Sequence, residues 1–242
     1  MKTYLISGAS GGIGRTIAEE LLKKGNRCAL VGRNNAVLSQ FEAAWPETAL
    51  SCSCDLRQVS AVTEIFECLE EKEFLPLDGF VHCAGVAPLM RVDESDMGVV
   101  REAYAVNLFS FLEIMKFFVS GGRCHDGAAV VAISSVTAYR GSNRQTVYSG
   151  TKAALDASAR CMAKELIDRK IRVNTIVSTV VETGMLQKLR AQSPNLDEKI
   201  KRHSPLGIVP GLEVCKMIEY LLSDAAAHIT GTALQIDSSF LL

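Results

Sequence analysis

Thr3-Tyr4-Leu5-Ile6-Ser7-Gly8-Ala9-Ser10-Gly11-Gly12-Ile13-Gly14 is the stretch on which the fold turns. A short apolar run leads into a glycine-rich loop, and Ile13, Ile17 and Leu21 then recur at i, i+4 and i+8, the spacing of a helix packed on a sheet. Gly25 ends that helix as its cap. Strand, glycine loop and helix in this order suit a pyrophosphate: glycines let the backbone come close, and the helix N-terminus offers unpaired N–H groups. Two registers fit, Gly8/Gly11/Gly14 and Gly8/Gly12/Gly14. A glycine triplet alone is equally compatible with a tight turn, so the rest of the chain has to decide.

Outward from this unit, short β-branched runs alternate with helical patterns. Residues 3–7, 27–31, 50–54, 79–83, 129–134, 172–177 and 233–236 read as strands. A helix from Ser95 or Asp96 carries Val100, Tyr104, Leu108, Phe111 and Met115 along one stripe; two more span about 148–167 and 211–223. Strands alternating with helices imply right-handed crossovers. The expected fold is therefore α/β: a Rossmann-type, doubly wound, seven-stranded parallel sheet with helices on both faces, in one domain over 1–242. The one long irregular stretch, 178–209, contains the polar segment 191–204, and residues 180–209 are expected to form a substrate lid.

Composition narrows the partners. With 26 basic against 27 acidic residues and no run of either sign, nothing suits a nucleic-acid backbone. The eight cysteines include no Cys-x-x-Cys pair and the four histidines are scattered, so no metal site is expected. The thiols read as reduced and mostly buried. No apolar run approaches the roughly 18 residues a membrane span needs, and a strand from Lys2 leaves no room for a signal peptide. The expectation is a soluble, cytoplasmic protein.

The second strand ends in Val31-Gly32-Arg33-Asn34. An NAD-selective chain would place a carboxylate near here to hold the adenosine ribose. Gly32 instead leaves space, and Arg33 can form charge-assisted bonds to a 2′-phosphate. The cofactor expected is NADP(H).

Tyr148-Ser149-Gly150-Thr151-Lys152 puts a phenol and an ammonium four residues apart on one helix face. Reducing a carbonyl requires a proton at oxygen as hydride reaches carbon. A phenol with pKa near 10 needs about 4 kcal/mol of preferential phenolate stabilisation to move by three units; a neighbouring Lys⁺ can supply part of it. Tyr4, Tyr104, Tyr139 and Tyr220 have no such lysine. Ser134 and Ser135 end the fifth strand, where the carboxyl ends of a parallel sheet line the ligand crevice.

At this point the whole chain resembles the short-chain dehydrogenase/reductase family, in its single-domain branch. The resemblance rests on the Gly8/Gly12/Gly14 loop, Asp55-Leu56, Ala84-Gly85, Asn107 and Ile133-Ser134-Ser135 thirteen residues before Tyr148. Further matches are the Tyr148/Lys152 pair, Arg172-Val173-Asn174, Thr183, Ser204-Pro205-Leu206-Gly207, Leu221-Leu222-Ser223-Asp224 and Ile229-Thr230-Gly231. The resemblance implies four catalytic positions. Ser135 would polarise the carbonyl and Tyr148 transfer the proton; Lys152 would lower the Tyr148 pKa and hold the nicotinamide ribose; Asn107 would anchor a relay water. Gly8, Ser10, Gly12, Ile13 and Gly14 would cradle the cofactor together with Leu56, Ala84 and Gly85. Asp55 would face the adenine, Arg33 the 2′-phosphate, and Val181 and Thr183 the carboxamide or pyrophosphate.

Three positions depart from the family pattern. His82-Cys83 stands for the usual Asn-Asn before Ala84-Gly85, Ser178-Thr179 for Pro-Gly, and Ser238-Ser239 for Gly-Gly. In motif detail the chain looks most like 3-oxoacyl-acyl-carrier-protein reductases, which constrains cofactor more than substrate. The expected substrate is a small carbonyl or alcohol, acyl-carrier-bound in one reading and a sugar, polyol or steroid in others. Its pocket is expected to be walled by Val86, Val136, Ala138, Tyr139 and residues 185–189, with Arg140 and Arg144 either meeting an acidic carrier or phosphate or simply solvated. A homotetramer or homodimer is expected. An NADPH sensor without turnover is the reading from another class; a sugar-nucleotide epimerase would need a second domain that 242 residues do not supply.

Overall fold

The computed structural model describes residues 1–192 and 195–242, without the side chains of Lys188, Leu189, Gln192 and Lys199. The chain runs β1 (Thr3–Ser7), α1 (Gly12–Lys23), β2 (Arg27–Gly32), α2 (Asn35–Ala44), β3 (Ala49–Ser53), α3 (Val62–Glu71) and β4 (Leu77–His82). It continues through α4 (Met97–Tyr104), α5 (Ser110–Val119), β5 (Cys124–Ser135), α6 (Thr137–Arg140), α7 (Thr146–Glu165) and β6 (Arg172–Ser178). The last elements are α8 (Gly184–Gln192), α9 (Leu196–His203), α10 (Gly211–Leu222) and β7 (Ala233–Ile236).

Seven strands form one sheet in the order β3-β2-β1-β4-β5-β6-β7, every pairing parallel. The expected Rossmann-type fold is thus the observed one. Alternate residues of each strand feed opposite cores. Leu5, Phe80, Val130 and Ala132 face α3, α5 and α7, where Phe66, Phe111, Phe118 and Leu155 are fully buried. Ile6, Val81, Val131 and Ile133 face α1 and α10, against Ile17, Leu21 and Ile218. Strand order reverses between β1 and β4, and the carboxyl ends of these strands open the crevice in which such sheets bind ligands.

Two expectations need correction. The stripe from Ser95 is not one continuous helix: α4 and α5 are joined by a π-helical turn, Ala105–Phe109. A π turn accommodates an extra residue, and such turns gather at functional sites; here it carries Asn107, wholly buried. Asp96 caps the entry, its carboxylate accepting from Val99 N at 3.0 Å. The stretch 178–209 is not irregular either, since α8 and α9 occupy much of it. Among the described side chains of these helices, Leu186 and Ile200 are the buried apolar ones. One or two core contacts among charged neighbours give too faint a periodicity to read in advance.

No described helix is long and apolar enough to cross a membrane. Among the described residues no group of histidine, cysteine and acidic side chains could hold a metal. All eight cysteines are free, five of them buried.

Candidate active site

A cavity of about 930 Å³ opens at the carboxyl end of the sheet. Of the site residues expected from sequence, all line it except Gly14 and Asn107, which lie just behind. The glycine loop forms its floor. Gly8 has φ +72° and a Cβ there would lie 2.7 Å from Ala84 N, so the loops after β1 and β4 touch backbone to backbone. A Cβ on Gly14 would sit 2.3 Å from Gly8 O. Gly11 is extended and has open space around it, so the working register is Gly8/Gly12/Gly14. The N-terminus of α1 has no side-chain cap and no acid in its first turn, leaving its N–H groups and positive dipole end for an anion.

Gly32 does something other than leave room for a phosphate. A Cβ at this position would lie 2.9 Å from Ser10 Oγ, so the missing side chain admits the glycine loop. Arg33 follows it, exposed at the cavity rim. Across the rim, Asp55 is gripped by Arg57, which donates from Nε at 2.8 Å and from Nη2 at 2.5 Å to one carboxylate oxygen. These bonds, with Arg33 adding charge, hold the Asp55 carboxyl below its ordinary range. Arg57 is a contributor that the sequence did not single out. Thr183 meets the loop from the other side: its Oγ1 donates to Val181 O at 3.2 Å, and a Cβ on Gly12 would rest 3.5 Å from its methyl.

Tyr148, Lys152 and Ser135 converge on one wall. Ser135 ends β5, and its oxygen accepts from Thr137 N at 3.3 Å and Thr137 Oγ1 at 3.1 Å. That leaves its own hydrogen for the Tyr148 oxygen, whose proton affinity it lowers. Burial outweighs this and pushes the Tyr148 phenol above its usual value. The expected lowering by Lys152 is therefore not what these side chains produce. Lys152 Nζ lies 5.8 Å from the Tyr148 ring centre and donates to Ile133 O at 2.7 Å. Burial brings the Lys152 ammonium down to about 8, against the pull of the Asp156 carboxylate. Asn107 acts as a clamp. Its Oδ1 accepts from Val86 N at 2.8 Å, while Nδ2 donates to Val86 O and to Thr151 Oγ1, both at 2.9 Å. It thereby ties the loop after β4 to the helix that carries Tyr148 and Lys152.

The substrate end differs in part from expectation. Val86, Val136 and Met185 line the cavity as expected, but Ala138 and Tyr139 do not. Tyr139 is turned outward, half exposed, because α6 starts at Thr137 and rotates it away from the strand end. Leu189, also expected as a wall, lies outside the described side chains. Leu186, also within the expected stretch, forms the apolar wall with Leu196, Ile200 and Phe240, and His203 stands beside them. Phe240 is held by Arg140, whose Nη1 donates to Phe240 O at 3.0 Å with the guanidinium 5.4 Å from the ring centre. Ser238 and Ser239, which replace the family glycines, take φ +52° and +68° at this bend. Such a conformation costs a residue with a Cβ about 1–2 kcal/mol. Arg144 donates to Leu89 O at 3.4 Å.

The other two departures are structural. Thr179 and Ser178 are buried, with Thr179 Oγ1 3.4 Å from Ser204 Oγ and Ser178 O accepting from Val136 N at 3.0 Å. His82 is wholly buried and its Nδ1 lies 2.8 Å from Ser7 Oγ, so it joins β4 to β1 as an asparagine would. Its Nε2 has no hydrogen-bond partner. Burial, assisted by the Lys152 charge and opposed by the Asn107 main chain, lowers the His82 imidazole to about 3. An unfolded histidine, near 6.5, takes up a proton that the native one refuses. Native stability is thus intact above pH 6.5 and is lost as pH falls toward 3. His82→Asn should abolish this slope. Between pH 7 and pH 4.5 the wild type should lose about 2–3 kcal/mol of stability that the variant keeps, read from urea midpoints; identical pH slopes would refute the assignment.

Residues 8–240 match the sequence profile described as enoyl-(acyl carrier protein) reductase. The chain is 31% identical over 248 residues to the human 3-oxoacyl-[acyl-carrier-protein] reductase, covering 100% of this chain and 98% of that one. It is 32% identical over 242 residues to the L-xylulose reductase of Caenorhabditis elegans, covering 99% and 95%. Of solved structures, the short-chain glucose/ribitol dehydrogenase of Brucella melitensis superposes with a TM-score of 0.91 at 25% identity, over 100% of this chain and 97% of that one. ElxO with NADP bound gives 0.88, also at 25% identity, over 100% and 99%. A profile match over nearly the full length and a shared seven-stranded fold leave one assignment: the chain belongs to the short-chain dehydrogenase/reductase family of oxidoreductases.

Proposed function

We propose that this chain is an NADPH-dependent reductase of a ketone, with Tyr148 as the proton donor. The observation that carries the reading is convergence: Ser135, Tyr148 and Lys152 line the same cavity as the glycine loop and Arg33. A dinucleotide laid along that cavity would set its pyrophosphate at the uncapped α1 N-terminus and a 2′-phosphate at Arg33. The extended Gly11, with open space beside it, and the uncapped α1 N-terminus leave room and N–H groups for such a group. NADP bound to ElxO, a structure of the same fold, supports the choice of cofactor.

Bound there, the cofactor supplies a hydride to the carbonyl carbon. The chain handles the proton and the geometry. Ser135, its oxygen already engaged by Thr137, has one hydrogen to direct at the carbonyl oxygen. Tyr148, kept protonated by burial, donates its hydroxyl proton to that oxygen. Lys152, anchored on Ile133 O, holds a positive charge near the phenolate that remains. Asn107 fixes the spacing between the β4 loop and α7, and any relay water would sit beside it. Residues 180–209 serve as the lid of the substrate end.

A 3-oxoacyl thioester is the first substrate class, supported by likeness to the human 3-oxoacyl-[acyl-carrier-protein] reductase and by the apolar wall of α8 and α9. A sugar ketone is the second, supported by likeness to L-xylulose reductase and by Ser142, Asn143 and Gln145 at the cavity mouth. NADPH and NADH consumption against both classes, with Tyr148→Phe as the blank, tests the proposal. No turnover of any ketone by the wild-type chain while NADPH still binds would reject it. The protein is further proposed to assemble as a homodimer or homotetramer in the cytoplasm. Light-scattering mass at micromolar concentration should give a multiple of 26.2 kDa; a single-chain mass would count against assembly.

A further inference from the structure

Lys152 is a charge with a supply problem. It is 3% exposed, forms no ion pair among the described residues, and its ammonium donates to the neutral Ile133 carbonyl. A buried cation without a counter-charge sheds its proton rather than stay charged. Around it, His82 is neutral and wholly buried, and Cys83 and Tyr148 are weak acids held in their neutral forms by burial.

One carboxylate lies on the same face. Asp156 is four residues after Lys152 on α7 and is itself 3% exposed, a spacing that brings β-carbons within about 5–6 Å. Ser134 Oγ donates to Asp156 Oδ2 at 2.9 Å, and the buried Oδ1 has no hydrogen-bond partner. Tyr139, from α6, also faces this carboxylate, and Arg160, exposed and four residues further along α7, meets the same tyrosine. A carboxylate this deeply buried and only half satisfied is expensive unless something nearby needs its charge.

We propose that Asp156 is the internal counter-charge of Lys152 and, through Ser134 at the end of β5, a positioning residue for the Ser135–Tyr148–Lys152 set. The inference rests on the proposed reductase reading only where turnover is the readout. With Asp156 ionised, Lys152 stays cationic to a higher pH than burial alone would allow, and Ser134 is held so that Ser135 faces the cavity. Coulomb attraction over one helical turn at an interior effective dielectric near 20 corresponds to roughly one to two pH units of lysine titration.

The test is the titration of Lys152 in the full-length chain carrying ¹³Cε-lysine, its resonance assigned by loss in Lys152→Met. Asp156→Asn keeps shape and the bond from Ser134 but removes the charge, and should lower the Lys152 midpoint at least about tenfold in proton affinity. Asp156→Ser is the second variant should the first fold poorly, and should act in the same direction. Ser134→Ala keeps the carboxylate and should leave the midpoint near that of the wild type. An unchanged midpoint in both Asp156 variants overturns the proposal, as does an equal drop in Ser134→Ala, which would mean that only packing was disturbed. In turnover, the alkaline limb of the pH profile should move down with the lysine. A lowered midpoint beside a stationary limb upholds the counter-charge and counts instead against Lys152 in the reduction.

Discussion

Tyr148→Phe should lower ketone turnover about 10²- to 10⁴-fold, the range spanned by a positioned acid, while NADPH affinity changes by less than about twofold. The asymmetry follows from where each interaction sits. The phenyl ring still fills its place in the cavity wall, and Lys152 keeps its bond to Ile133 O, which does not involve the phenol. Only the hydroxyl is removed, and with it the proton and the acceptor for the Ser135 hydrogen. Burial raises the Tyr148 phenol, so the wild-type residue carries its proton throughout the neutral range. That is the state a reductase requires and an alcohol dehydrogenase at the same pH does not. Reduction should accordingly stay level from pH 6 to about 7 and decline only as Lys152 loses its proton near pH 8. The rate of NADPH oxidation and a separate NADPH binding titration give the two numbers. Wild-type turnover in the variant would remove Tyr148 from the reaction, and a parallel fall in affinity would recast it as a binding residue.

How much of this was legible in the sequence depends on the range of the interaction. The sheet was, because every strand carries its own apolar run and its own turn, and local pattern and global packing agree. The Gly8/Gly12/Gly14 register was not settled until the backbone placed Gly8 O against Gly14 and left Gly11 in open space. The Tyr148/Lys152 pair was visible because both partners lie on one helix. Asp156 lies one turn further along and passed unremarked, since a lone acid in a helix reads as solvated until Ser134 is seen to meet it. The Asn107 π turn gives no period to detect, and Arg57 earns its place only through the position of Asp55. Phe240 carries no local signal of its role in the sequence; its place in the cavity wall depends on Arg140, a hundred residues earlier. His82 was the instructive intermediate. Its departure from the family pattern was plain, and its partner, Ser7, could be found only once β1 and β4 were paired.

Arg33→Ala should weaken NADPH roughly 10- to 150-fold, the loss of a charge-assisted bond of about 1.5–3 kcal/mol, and leave NADH within about twofold. Two features of the rim make the discrimination sharp. Asp55, the carboxylate across from Arg33, is already gripped twice by Arg57, so the Arg33 guanidinium is not taken up by it. Position 32, where an NAD-selective chain could place an acid, is a glycine, and a Cβ there would stand 2.9 Å from Ser10 Oγ, so a side chain would require Ser10 to turn aside. The strand end therefore lacks the group that would repel a 2′-phosphate and leaves a cation exposed beside its place. Added salt should reduce the NADPH preference of the wild type and have little effect on the variant, because Arg33 is exposed and open to screening. Equal weakening of both cofactors would instead mean that Arg33 supports the rim they share, and the cofactor preference would have to lie elsewhere in the cavity.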